Sequence, residues 1–265
     1  DSVTSPTCDP FDSEMHLILQ NEPAMAQAGL RWIIDLMNHG ESHPSAYLNI
    51  PSLWDKAVEN TVLAVSSPSY LRICGRPVVL IGNGFDLVTQ AGSTAHARTL
   101  VEQLRDAVIA AGHLPPLIGS GFLPAGKIYS SAAQFEQEFG YPYDYTNSYG
   151  SFWYPTDQRG SNQQPPVSQP DLWANQATIR SRHAQSAVPH MPSYPLGFHA
   201  VMECSCCGRM SATEMAQKYW IDGSKYWGCV TERTIAVPTA AQFRTGLQAA
   251  YDDLVASPNL GISTG

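Results

Sequence analysis

The sequence predicts one α/β domain, most simply a (β/α)8 barrel of the TIM type, irregular or incomplete where its helices are short and two loops are long. Apolar runs typical of buried strands alternate along the chain with segments whose apolar residues keep helical spacing. This alternation implies parallel strands joined by right-handed crossovers. The length of 265 residues suits a single barrel. No Gly-x-Gly-x-x-Gly turn follows the first strand, which favours a barrel over an open dinucleotide-binding sheet.

The N-terminal part is predicted to hold a terminal arm, two strands and two helices. Residues 1–13 carry Ser, Thr and Pro without periodicity and indicate an arm. The apolar runs Met15–Leu19 and Arg31–Met37 predict strands, the second one buried on both faces. Helices are expected at Glu22–Gly29, with the glycine as its stop, and at Ser52–Val65.

The middle of the chain repeats the order of strand and helix. Pro77–Ile81 is the strongest predicted strand, and a helix is expected at Ala95–Ala111 after a glycine-rich loop. A further strand starts at Leu117 and runs into a predicted turn at Gly119-Ser-Gly121. The remaining elements of this part are a helix at Ser131–Phe139 and a strand at Tyr143–Tyr149.

The C-terminal part is predicted to contain a long surface loop at residues 155–170, a helix at Pro170–Ala184 and short strands at Ala187–Met191 and Leu260–Thr264. Thr239 and Gln242 form a capping box that begins a helix ending near Ala256. The predicted buried residues of this helix are Phe243, Leu247, Ala250, Tyr251 and Leu254. The whole chain is therefore expected to be one domain, residues 1–265.

Composition limits the partners and the compartment. The net charge of −8 argues against nucleic acid, and no apolar run is long enough to predict a membrane span. Few lysines, frequent Trp, Tyr and Pro, and a start that looks processed favour a secreted or extracellular protein, with a cytoplasmic one as the alternative. The six cysteines predict disulfides, such as Cys229 with the Cys204–Cys207 cluster, or Cys8 with Cys74.

Three carboxylates are candidate catalytic residues: Asp35, Asp86 and Glu203. In a parallel barrel the reactive groups lie where strands end and loops begin, and a carboxylate pair can serve as acid and base, or as acid and nucleophile, on a glycosidic bond. Asp35 is the strongest candidate because it lies inside an apolar strand, where an unpaired charge is costly. The structural alternative is that Asp35 pairs with Arg31 or caps a helix.

Polar and aromatic residues near the predicted strand ends are candidates for binding a sugar. Aromatic rings stack on the apolar C–H faces of sugars, and polar side chains bind the hydroxyl groups. The predicted substrate-binding residues are Trp32, His39, Asn83, Tyr145, Trp153, His190, His199 and Trp227.

Other chemistries are less well supported by the sequence. His190, His199 and the cysteine cluster could serve a zinc-dependent hydrolase, but the cysteine spacing is not that of paired Cys-x-x-Cys zinc ligands. Gly82-Asn-Gly84 lacks the lysine of a phosphate-binding loop, and no Gly-x-Ser-x-Gly nucleophile elbow occurs. We therefore predict neither a metal nor another cofactor.

Three segments of the chain resemble glycoside hydrolase family 99-like proteins, which include the WbsX-type domains. They are Glu22–Trp32, Ser67–Leu80 with its Gly-Arg-Pro sequence, and Ala187–Met191 followed by the helix that ends before Pro258. The resemblance implies a (β/α)8 barrel that acts on glycans as a retaining hydrolase without a metal. The Trp-Asn-Glu segment typical of that group is absent here, so the resemblance names no catalytic pair. Separately, Val79–Leu87 resembles the opening motif of AbiH-type phage-defence proteins, where it lies near the N-terminus.

The sequence thus predicts a glycan-acting barrel whose substrate is an oligosaccharide or polysaccharide, most simply a glycoside hydrolase with a carboxylate pair. A carbohydrate-binding barrel without catalytic activity and a zinc-dependent hydrolase are the alternatives. Which of these applies depends on whether the carboxylates share one cleft.

Overall fold

A computed structural model of the chain describes residues 10–36, 51–121, 128–147, 169–192 and 239–257. Residues 155–168 of the predicted surface loop and the predicted tail strand at 260–264 lie outside these ranges. Within them, no helix is both long and apolar enough to cross a membrane.

Helices and strands alternate through most of the described chain. The helices are α1 (Pro10–Gln27), α2 (Pro51–Val65), α3 (Gly84–Ala91), α4 (Thr94–Ala110), α5 (Ala132–Phe139), α6 (Gln169–His183) and α7 (Ala240–Ala256). The strands are β1 (Ile34–Leu36), β2 (Arg72–Ile73), β3 (Arg76–Ile81), β4 (Leu117–Ser120), β5 (Tyr145–Asn147) and β6 (His190–Met191).

Five of these strands form a parallel sheet in the order β1-β3-β4-β5-β6. β2 pairs only with β3, antiparallel, and the two are joined at Cys74 and Gly75, both with positive φ, as a tight two-residue hairpin requires. The predicted α/β fold with parallel strands is therefore confirmed. Within the described ranges the sheet runs in sequence order from β1 to β6.

The two faces of the sheet are covered differently. Side chains alternate along β3, and Val79 and Ile81 belong to a large core that includes apolar residues of α2, α3, α4 and α5. We call this side the helical face. Val78 and Leu80 point the other way and form a smaller buried cluster with Leu117 and Tyr145 on what we call the second face. Burial on both sides explains why β3 is apolar without alternation.

The predicted strand at Met15–Leu19 is wrong, because these residues lie in the middle of α1. The apolar run contains Ile18, and Ile18 and Met25 are seven residues apart on one side of that helix, where both pack against the large core. α1 also takes in residues 10–13 of the predicted arm. The predicted stop at Gly29 is confirmed by its φ of 70°.

Three local predictions are corrected around the later elements. The glycine-rich loop after β3 is short, because α3 begins at Gly84, and Gly119 and Ser120 belong to β4 rather than to a turn. The capping box of Thr239 and Gln242 is confirmed. The predicted buried stripe of α7 is wrong at Leu247 and Tyr251, which are exposed.

Candidate active site

Asp35 lies at the centre of β1 and belongs to the second face. Its Cα pairs in register with Leu80 of β3, Leu80 pairs with Gly119 of β4, and Gly119 pairs with Tyr145 of β5. Residues paired in register on neighbouring strands project to the same side of a sheet. These four residues therefore form one row across the second face, which we call the Asp35 row.

One oxygen of the Asp35 carboxyl is buried, and no counter-charge pairs with it among the described residues. Its Oδ1 atom has no hydrogen-bond partner among the described residues. Burial raises the pKa of the Asp35 carboxyl to about 7. The guanidinium of Arg31, the partner proposed in the structural alternative, instead donates to the carbonyl oxygen of Leu30 at 3.1 Å. Asp35 can therefore gain or lose a proton near neutral pH, as an acid–base catalyst must.

Tyr145 closes the opposite end of the Asp35 row. A Cβ placed on Gly119 would lie 2.1 Å from the Tyr145 ring, so the ring lies directly over this glycine. The Tyr145 hydroxyl donates to the carbonyl oxygen of Val79 at 2.8 Å. Burial, then the charges of Tyr70 and Asp35, raise the pKa of Tyr145 well above its ordinary value. Tyr145 is neutral and fully buried, so it presents no open ring face to a sugar in this structure.

Trp32 does not join Asp35, although both were predicted at one site. Trp32 is buried in the core of the helical face together with Ile34 and Leu36, whereas Asp35 belongs to the second face. Its ring meets that of Tyr70 edge to face, with centroids 5.0 Å apart. Trp32 therefore contributes to packing between the segments before β1 and β2.

Asn83 has a structural role at the start of α3. Its side-chain Oδ1 accepts hydrogen bonds from the backbone N–H groups of Phe85 and Asp86 at 3.0 and 3.3 Å. The N–H of Gly84 donates to Ser120 Oγ at 3.1 Å. These backbone donors are thus already used within the protein, which leaves them unavailable to a phosphate or a sugar.

Asp86 lies in the first turn of α3, where a negative charge is favourable next to the helix N-terminus. Burial raises the pKa of its carboxyl, and the hydrogen bond with Asn83 partly opposes that change. The next residue, Leu87, is fully buried in the core of the helical face. α3 therefore packs on the helical face, whereas Asp35 projects to the second face.

His190 lies on β6 and faces the helical side rather than the second face. Its Cα pairs with Thr146, which pairs with Ser120, which in turn pairs with Ile81 of the helical core. The His190 ring is fully buried and stacks on His183 of α6. His190 therefore belongs to a buried contact between α6 and β6, away from the Asp35 row.

The remaining predicted site residues lie outside the described ranges. They are His39, Trp153, His199, Glu203 and Trp227. Of the cysteines, Cys74 is described and is an exposed free thiol, while its suggested partner Cys8 is not described. No group of three or more His, Cys, Asp or Glu side chains in the described ranges could hold a metal ion, and we do not assign His190 to one.

Two residues near these sites were missed from the sequence. Tyr70 accepts a hydrogen bond from the N–H of Ile34 at 3.1 Å and donates to the carbonyl oxygen of Val78 at 2.6 Å, so its hydroxyl joins β1 to β3 beside Asp35. His183 is placed against His190 only by the packing of α6. Tyr70 lies in the Ser67–Leu80 segment quoted above, but the spacing of Tyr70 from Asp35 and of His183 from His190 carries no signal of contact.

In comparisons with known proteins, no family model, no curated protein and no solved structure matches this chain.

Proposed function

We propose that this chain is a glycoside hydrolase in which Asp35 transfers the proton. The observation that carries the proposal is a buried carboxyl oxygen, on the second face of a parallel sheet, that has no partner in the described part of the chain. A neutral carboxyl can protonate the leaving oxygen of a glycosidic bond, and its conjugate base can then take a proton from water. The resemblance of three segments to glycan-acting barrels supports the same class of reaction.

The scaffold of this proposal is a (β/α) barrel. The described parallel strands follow one another in sequence order, and α2 to α5 pack on a single face, as the outer helices of a barrel do. A doubly wound sheet would instead reverse its strand order and place helices on both faces. In a barrel the second face becomes the interior, so the Asp35 row would line it.

The second carboxylate of the proposed pair is Glu203. Asp86 is the weaker choice because α3 packs on the helical face. We therefore propose Asp35 as the acid and Glu203 as the base or nucleophile.

Incubation of the full chain with a panel of soluble oligosaccharides and polysaccharides, followed by detection of new reducing ends, tests this function. We expect cleavage of at least one glycan and a loss of about a hundredfold or more in Asp35→Asn, because general acid catalysis contributes that much. Asp55→Asn is the matched control, since Asp55 is an exposed carboxylate of α2 that accepts a hydrogen bond from Gln103. Full activity in Asp35→Asn would contradict the assignment.

A carbohydrate-binding protein without catalytic activity is the second candidate. The packing of α3 on the helical face favours it, since Asp86 belongs to that helix and Asp35 belongs to the second face. Glycan binding measured by calorimetry, with no product from any glycan and equal affinity in Asp35→Asn, would support this candidate over the hydrolase.

A further inference from the structure

Two buried histidines form a contact between the end of α6 and strand β6. The rings of His183 and His190 are stacked with their centroids 3.9 Å apart and their planes only 8° from parallel. Both side chains are almost completely shielded from solvent, with exposures of 1% and 0%. This pair lies on the helical side of the sheet, opposite to the face that carries the Asp35 row.

The hydrogen bonds of the pair fit two neutral imidazoles. Thr146 Oγ1 donates its proton to the carbonyl oxygen of Pro189 at 3.2 Å. It therefore acts as the acceptor in its 3.0 Å contact with His190 Nδ1, and Nδ1 carries the proton. His190 Nε2 is then an unprotonated acceptor. Among the described residues, neither His190 Nε2 nor His183 Nε2 has a hydrogen-bond partner. A proton added at either atom would therefore be buried without an acceptor.

The charged groups around the pair oppose a second positive charge. Arg180, one turn earlier on α6, is buried. The pKa of His190 is lowered mainly by burial, next by His183 and then by Arg180. Its carboxylate partner, Asp253 of α7, accepts from Arg180 Nε at 2.7 Å and Nη2 at 2.6 Å, so that anion is already engaged. In the turn after α6, Ser186 Oγ accepts a hydrogen bond from the backbone N–H of Tyr129 at 3.4 Å, and Glu138 of α5 interacts with the Tyr129 hydroxyl.

We propose that the His183–His190 stack is an acid-sensitive contact that holds α6 against the sheet and releases it, together with α7, when an imidazole takes up a proton. An imidazolium here would face a second ring at 3.9 Å and the Arg180 guanidinium, whose carboxylate partner Asp253 is already engaged. The ion pair between Arg180 of α6 and Asp253 of α7 joins the two helices, so we expect release of α6 to affect α7 as well. Strand β6 would then lose its contact with α6.

The direction of the pH effect follows from the burial of neutral rings. Burial lowers the pKa of His183 to about 4, from an ordinary value of 6.5. The unfolded chain therefore binds protons more readily than the folded one below pH 6.5. The stabilising contact is complete above that pH and is lost as the pH falls toward 4.

Hydrogen exchange of the full chain at pH 7 and pH 4, corrected for intrinsic exchange rates, tests this proposal. We expect peptides from residues 169–192 and 240–256 to lose at least tenfold in protection at pH 4, while peptides from 76–120 lose less. In His183→Phe, which keeps an aromatic ring but cannot be protonated, the acid midpoint for these peptides should move to lower pH. The control His96→Phe, at an exposed histidine, should leave the midpoint unchanged.

Two results would overturn the proposal. One is a loss of protection at pH 4 that is equal throughout the described chain, and the other is the same midpoint in His183→Phe as in the unaltered protein. If His183→Phe does not fold, NMR titration of the imidazoles in the unaltered protein decides the question. His183 should titrate near pH 4 and His190 well below its ordinary range, and a midpoint above pH 6 for either ring would contradict the proposal.

Discussion

Asp35 and Tyr145 lie in one row across the second face of the sheet, with Leu80 and Gly119 on the two strands between them. The Tyr145 ring covers Gly119, and its hydroxyl donates to the carbonyl oxygen of Val79. The side chains next to the Asp35 carboxyl in this row are therefore a leucine and an aromatic ring. Apolar surroundings favour the neutral form of a carboxyl. This relationship explains how an acidic residue is retained inside a buried strand.

We predict that ionisation of Asp35 lowers the free energy of unfolding as the pH rises. Its pKa is raised from 3.8 to about 7 in the folded protein, so the folded state holds a proton that the unfolded state releases. The resulting stabilisation is complete below about pH 4 and is lost as the pH rises through 7, by an amount of about 4 kcal/mol. Urea unfolding should show the stability of Asp35→Asn rising relative to that of the unaltered protein between pH 4 and pH 8. Asp55→Asn should show no such trend, and parallel curves for Asp35→Asn would contradict the prediction.

Tyr145→Phe should cost about 1 kcal/mol of unfolding free energy. The substitution keeps the ring over Gly119 and removes only the hydrogen bond to the carbonyl oxygen of Val79, whose net value is of that order. The midpoint of urea unfolding measures the effect. Tyr251→Phe is the control because the Tyr251 side chain is exposed. An equal change in unfolding free energy in both variants would contradict a stabilising contribution of the buried hydrogen bond.

Gly121→Ala should destabilise the protein more than Gly29→Ala. A Cβ on Gly121 would lie 2.5 Å from the carbonyl oxygen of Gly82, and backbone atoms in adjacent strands cannot move aside easily. Overpacking of this kind costs about 1–3 kcal/mol or more. Gly29 has a φ of 70° but open space around it, so its substitution costs only about 1–2 kcal/mol of backbone strain. Thermal or urea unfolding of the two variants would contradict this order if Gly29→Ala were the less stable.

Asp253→Asn should loosen α7 while leaving the parallel sheet intact. The substitution removes the charge that neutralises the buried guanidinium of Arg180, and we expect a cost of about 1–2 kcal/mol because Asp253 itself is partly exposed to solvent. Hydrogen exchange should increase in residues 240–256 and 169–183. The neighbouring Asp252→Asn is the control, since Asp252 is exposed and bonds only to Gln248 among its described contacts. Equal exchange in the two variants would contradict a role for the ion pair.

Local signals in the sequence predicted most of the elements correctly. The apolar run before Gly82, the Ser131 cap of α5 and the capping box at Thr239 each act within a few residues, so sequence spacing alone reveals them. Met15–Leu19 was assigned wrongly because a short apolar run fits a strand and a helix equally well. Its helical partner Met25 lies seven residues later, beyond the run itself.

The candidate site was only partly predictable, because it depends on faces of the sheet. Asp35 was found from the cost of an isolated charge in an apolar strand, which is a local property. Trp32 and Asp35 are three residues apart, yet strand alternation places them on opposite faces. The contact of His183 with His190 depends on where α6 packs, and sequence spacing does not report packing between elements.

Titration of the Asp35 carboxyl carbon by 13C NMR tests the central claim most directly. The Asp35 signal is assigned by its loss in Asp35→Asn, and the titration needs no substrate. A midpoint near pH 7 would show a carboxyl that holds a proton at neutral pH, as the proposed acid must. A midpoint near 4, the ordinary value for aspartate, would show a solvated or paired carboxylate and contradict the proposed role of Asp35.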